Sequence, residues 1–306
     1  MRLPKLLSIL CLPPLALAAV TLVALTVAPA GAGDIVTVFC SIAPQAFVLE
    51  RVGGDAVEVH VLVGPGQSPH TFEPTPRQMA ELTEARVYFT LGLPFERELA
   101  ERIADLNPDL VVVDMSAGIE RRQIEGGHDH DDHGPDCDHS QDAGLPDPHV
   151  WLDPRNAGLM ARAVHYALAD LSPERTGALG DNVEVVEQCL DDLHAELAEA
   201  LSPLGGGRVY VFHPAFGYFT DAYGLVQVPI ELGGTEPSAR ELAELIERAR
   251  TDEVRIVFVQ PQFSSKSAAA IAAEIGGAVV HIDPLAADYI ANLRHIAQEV
   301  RKALAE

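Results

Sequence analysis

The feature that most restricts what this 306-residue chain can fold into is an alternation, repeated in both halves, of short Val-rich runs with helix-patterned stretches. In the first half the runs lie at 35–39, 57–63, 87–91 and 110–114, with helical patterns between them at 76–84 and 95–106. In the second half they lie at 209–212, 226–230, 256–259 and 279–282, with helical patterns at 239–250, 266–275 and 287–304. Short β-branched runs bounded by turn residues read as strands. Strands alternating with helices imply βα units and a parallel sheet covered on both faces. The expectation is an α/β protein with two (β/α) lobes, each built on a mainly parallel four-stranded sheet. No residue-level repeat relates the halves.

One long helix is expected to join the lobes, over 173–201. Ser172 is placed to cap it, with Pro173 at its first position. Val183, Val186, Leu190, Leu193 and Leu197 recur at helical spacing, and Gly205, Gly206 and Gly207 end the segment. A stiff connector of this kind restricts lobe motion more than flexible strands would. The expected organisation is an export signal at 1–32, a first lobe at 33–171, the linker helix at 172–204 and a second lobe at 205–306.

The signal reading rests on Arg2 and Lys5 ahead of an apolar run from Leu6 to about Val27, then small residues at Ala28–Ala32 that offer cleavage sites. Pro13 and Pro14 break a retained anchor helix, which is the competing reading. The location implied is periplasmic, by a cleaved signal. Cys40, Cys137 and Cys189 remain after cleavage, an odd number that cannot all pair within one chain. The formal net charge of −24 disfavours phosphate backbones, and so nucleic acid, as partners; it suits attraction of cations.

The segment 126–147 is polar and has no period. It carries His128, His130, His133, Cys137 and His139 among aspartates, and is expected to be a solvated loop that binds additional metal weakly.

Four further motifs each place a potential metal ligand just beyond the carboxyl end of a strand, the edge where α/β sheets bind ligands. His70 lies in GPGQSPHTFEPTP and His149 in DPHVWLDP, where Asp153 and Pro154 read as a helix start. His213 lies in VFHPAFGYF and Asp283 in HIDPLAADY. Three imidazoles and a carboxylate fill a tetrahedral zinc shell. Two imidazoles with two carboxylates would lean towards manganese. Asp283 is the weakest member, because Asp before Pro is also turn chemistry. His281 and Glu96 are remote candidates; His60, His165, His194 and His295 read as ordinary side chains of strands or helices.

From about Asp34 to its end the chain resembles the metal-binding receptors of ABC importers for zinc and manganese, and within them the high-affinity zinc branch. The resemblance is carried by SPHTFEPTP, DPHVWLDP, FHPAFGYF and IDPLAADY in that order. It implies two (β/α) lobes joined by one rigid helix, with Zn2+ held between them by His70, His149, His213 and Asp283. It also implies a permease and an ATPase as partners of a monomeric receptor with no catalytic activity. A zinc hydrolase is the first alternative, although no compact H-E-x-x-H signature is present. Adhesion or zinc buffering at the cell surface is the second.

Overall fold

The computed structural model describes residues 35–124, 146–231 and 235–305. The chain enters as β1 (Val36–Cys40), α1 (Ala43–Gly53), β2 (Val57–Val61), α2 (Pro76–Leu82), β3 (Val87–Thr90), α3 (Glu96–Ala104) and β4 (Val111–Asp114). All pairings in this sheet are parallel, in the order β2-β1-β3-β4, with Val38 opposite Val59 on one side and Val87 on the other. Two helices follow, α4 (Pro154–Leu171) and α5 (Thr176–Leu201). The second half repeats the plan with β5 (Arg208–Val211), α6 (Gly217–Ala222), β6 (Val226–Pro229), α7 (Ala239–Thr251), β7 (Ile256–Val259), α8 (Lys266–Ile275), β8 (Ala278–His281) and α9 (Tyr289–Ala305). Its sheet is also parallel, in the order β6-β5-β7-β8.

The same local rules build both sheets. β3 is buried at all four positions, as a central strand covered on both faces must be. Three of the helices start on side-chain caps: Thr75 accepts from the backbone of Gln78 at α2, Asp153 from Arg155 at α4, and Ser238 from Glu241 at α7. Each satisfies one of the backbone N–H groups that a helix start leaves open. The connector differs from expectation at its first turn. Pro173–Arg175 is a 3-10 turn, the Ser172 side chain makes no cap bond, and the α-helix proper begins at Thr176.

α5 packs against α1, α4 and α9, so it touches elements of both halves. Its buried stripe is Leu179, Val183, Val186, Leu190, Leu193, Leu197 and Leu201, each worth about 1.5–3 kcal/mol of burial. One apolar core runs continuously from β1 and β3 through α4 and α5 to α9. A smaller core lies between the second sheet and α7 and α8. The described residues form a single compact unit. Among the described residues no helix is long and apolar enough to cross a membrane. The proposed signal at 1–32 and most of the polar segment 126–147, with His128, His130, His133, Cys137 and His139, lie outside the described residues. Cys40, which is buried, and Cys189 are free thiols.

Candidate metal centre

His70 is presented by the turn that follows β2. Gln67 Oε1 accepts from the backbone of Gly64 at 2.8 Å, and Gly66 takes a positive φ of 75° that suits glycine. Gln78 of α2 anchors the loop from below by donating to the carbonyl of Leu62 at 2.7 Å. His149 follows Asp147 and Pro148 at the entry to α4. Asp147 Oδ1 accepts from the His149 backbone at 2.9 Å and faces the ring Nδ1 at 2.7 Å. His213 stands two residues beyond β5, and its main chain is gripped at both ends by Gln260, whose Oε1 accepts from His213 N and whose Nε2 donates to His213 O. Its ring stacks on Phe263 with centroids 4.7 Å apart. Glu231 Oε2 lies 3.2 Å from its Nδ1.

The three rings meet. His70 Nε2 is 3.0 Å from His213 Nε2, and His213 Nε2 is 3.3 Å from His149 Nε2. One donor atom from each lies within 4.8 Å of the other two, and this is the one such group of three among the described residues. Ionised carboxylates only accept, so Asp147 and Glu231 draw the proton of each neutral ring to Nδ1. The lone pairs of His149 and His213 on Nε2 then point at each other across the gap. Two acceptors at that distance repel unless a cation lies between them. Ligand nitrogens around tetrahedral zinc stand about 3.3 Å apart, given Zn–N near 2.0–2.1 Å.

The surroundings favour the neutral form of His70 and His213. His70 has the largest exposed area of the three, but enough protein surrounds its ring, with His213 and His149 beside it, to lower its pKa to about 3. Burial lowers that of His213 as well, against the pull of Glu231. The rings line a cavity of about 20 Å3, room for one water-sized particle, walled by Trp151, Phe263 and Leu93. A larger cavity of about 410 Å3 lies at the opposite edge of the second sheet, near Arg208, Asp252 and Leu304. It contains no such cluster.

Asp283 is placed differently from the sequence expectation and stands outside the group of three. Its Oδ1 accepts from Gln262 Nε2 at 2.8 Å and from the backbone of Leu285 at 2.9 Å, the turn-capping arrangement of an Asp before Pro. The side chain that lines the cavity there is Gln262. Its Oε1 is enclosed and accepts no hydrogen bond among the described residues. Glu96 also stands outside the group of three. It is buried, and it accepts from Ser41 Oγ and from the backbones of Leu91, Gly92 and Leu93; burial raises its pKa. His281 is exposed at the end of β8, and His60 stacks on Phe39.

The supporting residues Asp147, Glu231, Gln260 and Gln262 were not singled out from sequence. Asp147 carried a signal, since an Asp two residues before a ligand His can fold back on its ring. The others come from distant loops and carried none.

Residues 38–303 match the sequence profile of a family described as "Zinc-uptake complex component A periplasmic". A putative metal-binding protein of Treponema pallidum is 30% identical over 235 residues, covering 75% of this chain and 73% of that protein. The high-affinity zinc uptake system protein ZnuA of Yersinia pestis is 27% identical over 266 residues, covering 81% and 82%. A crystal structure of ZnuA superposes with a TM-score of 0.80 at 39% identity, over 88% of this chain and 99% of that one. A zinc-bound deletion mutant of ZnuA gives the same score and identity, over 89% and 98%.

Proposed function

Because this chain belongs to the periplasmic zinc-uptake component A family, we propose that its cargo is Zn2+, captured by His70, His149 and His213 and delivered to the permease and ATPase of an ABC importer. It is a metal-binding receptor of a transport family and not an enzyme. The observation that carries the zinc reading is the convergence of three imidazoles, two of them oriented by carboxylates. All-nitrogen donors suit zinc, whereas harder manganese favours more oxygen. A cavity of about 20 Å3 fits an ion and not an organic substrate.

The fourth position is assigned to Asp283, reached by exchanging its bond to Gln262 for the metal; failing that exchange, Asp283 acts at one remove by fixing the Gln262 amide. The segment 126–147 takes up further zinc weakly through His128, His130, His133 and His139, which stand among aspartates. Residues 1–32 direct export and are removed, and the mature receptor works as a monomer in the periplasm.

Competition calorimetry on the mature protein, with elemental analysis of the material as purified, tests the cargo. Zinc is expected to bind one tight site and to displace manganese. Tighter binding of manganese overturns the assignment. Deleting 126–142 is expected to leave the tight phase and remove any weak one; loss of the tight phase would place the segment in the primary site.

A further inference from the structure

The loop that follows β4 brings Arg122 to the seam between the two halves, within one side chain of the ligand His149. Its guanidinium is mostly buried and touches two carboxylates. Nη1 lies 3.3 Å from Asp147 Oδ2, and Nε lies 3.0 Å from Asp221 Oδ2 on α6. Asp147 is wholly buried, and its other oxygen holds the His149 ring. α6 begins four residues after His213. The backbone around the guanidinium is fixed as well: Arg122 N donates to Tyr218 Oη at 3.1 Å, and Asp147 N donates to Arg122 O at 2.8 Å. The seat admits no side chain on Gly217, because a Cβ there would fall 1.1 Å from Arg122 Nη1.

A fully buried carboxylate is costly unless a cation compensates it and its oxygens are bonded. Arg122 supplies the compensating cation and one bond to Asp147, from Nη1 to Oδ2, while its Nε faces Asp221. We propose that Arg122 is a positioning residue for the metal: it clamps Asp147, which sets the His149 ring, and it ties that assembly to α6, so that His149 and His213 stay in register across the two halves. Outer partners of this kind orient the ligand ring and fix which nitrogen faces the metal.

The proposal rests on zinc being the cargo, and its test separates the two. Zinc affinity is measured by competition with a chromophoric chelator for the wild type, Arg122→Gln, Arg122→Lys, Asp221→Asn, His149→Ala and the double variant of Arg122→Gln with His149→Ala. Arg122→Gln is expected to weaken zinc about 10–100-fold, the usual cost of losing an outer partner. Arg122→Lys should recover part of that loss, and Asp221→Asn should cost less than Arg122→Gln. In the His149→Ala background Arg122→Gln should add nothing, because its action passes through that ring. In the metal-free protein, nitrogen NMR of His149 should show the Nδ1–H tautomer in the wild type and a mixture in Arg122→Gln. Should Arg122→Gln not fold, Gly217→Ala is read in its place, since it evicts the guanidinium from its seat. Unchanged affinity, an undiminished effect without His149, or an unchanged tautomer overturns the role of Arg122. Failure of the wild type to bind zinc overturns the cargo instead.

Discussion

A neutral imidazole ligates through the nitrogen that carries no proton, and at two of the three rings a carboxylate decides which nitrogen that is. Glu231 serves His213 from a loop beyond β6, so Glu231→Ala should leave the fold intact and weaken zinc about 10–100-fold in chelator competition. His70 has no such partner and is held by its turn. Its pKa near 3 has a consequence for the metal-free protein. The unfolded chain takes up a proton at His70 around pH 6.5, but the folded chain resists it until pH falls to about 3. The unfolded state therefore binds more protons between those values, so stability rises with pH across that window. The contribution is complete above about pH 6.5 and is lost as pH falls. Melting of the metal-free protein should show this slope, and His70→Ala should flatten it. Asp283 is resolved by substitution. As a ligand, Asp283→Asn should weaken zinc through loss of charge; as a cap, the Asn amide oxygen still accepts from Leu285 and affinity stays at the wild-type value.

Among the elements, α5 binds the halves together by packing on α1 and α4 on one side and α9 on the other, and its stability can be probed away from the metal. Leu190 sits in the middle of the buried stripe, and Leu190→Ala should cost about 2–5 kcal/mol, read as a fall in melting temperature in the absence of metal. Gly158 on α4 has open space where a Cβ would go, so Gly158→Ala should stabilise by about 0.5–1 kcal/mol. All eight strands and the connector could be read from the sequence, because each is a short apolar run or a clear helical stripe. α1 could not: seven of its eleven residues are buried, which removes the polar face that marks a helix in sequence. α6 has six residues, too few to show a period. His70, His149 and His213 were legible because each stands in a turn-rich motif. Gln262 was not, since only the fold brings the loop after β7 beside the one that begins at His213.

At the scale of the whole molecule, a ligand set drawn from both sheets makes metal occupancy and global stability one equilibrium. Zinc at about a hundred times its dissociation constant should stabilise the protein by about 2.7 kcal/mol. His213→Ala should abolish most of the resulting rise in melting temperature, and an unchanged rise would mean that the metal sits within one half. The proposed ligands are also far apart along the chain: His70 and His213 are separated by 143 residues, His149 and His213 by 64. Contacts that close long loops form late, because chain entropy opposes them until other structure has drawn the ends together. The centre is thus a marker for the end of folding. A half-made chain presents His70 and His149 without His213, whereas the finished one brings all three together. In rapid-mixing refolding with cobalt as a coloured stand-in, the d–d absorption should rise no earlier than the slowest fluorescence phase of Trp151, which packs against the His149 ring.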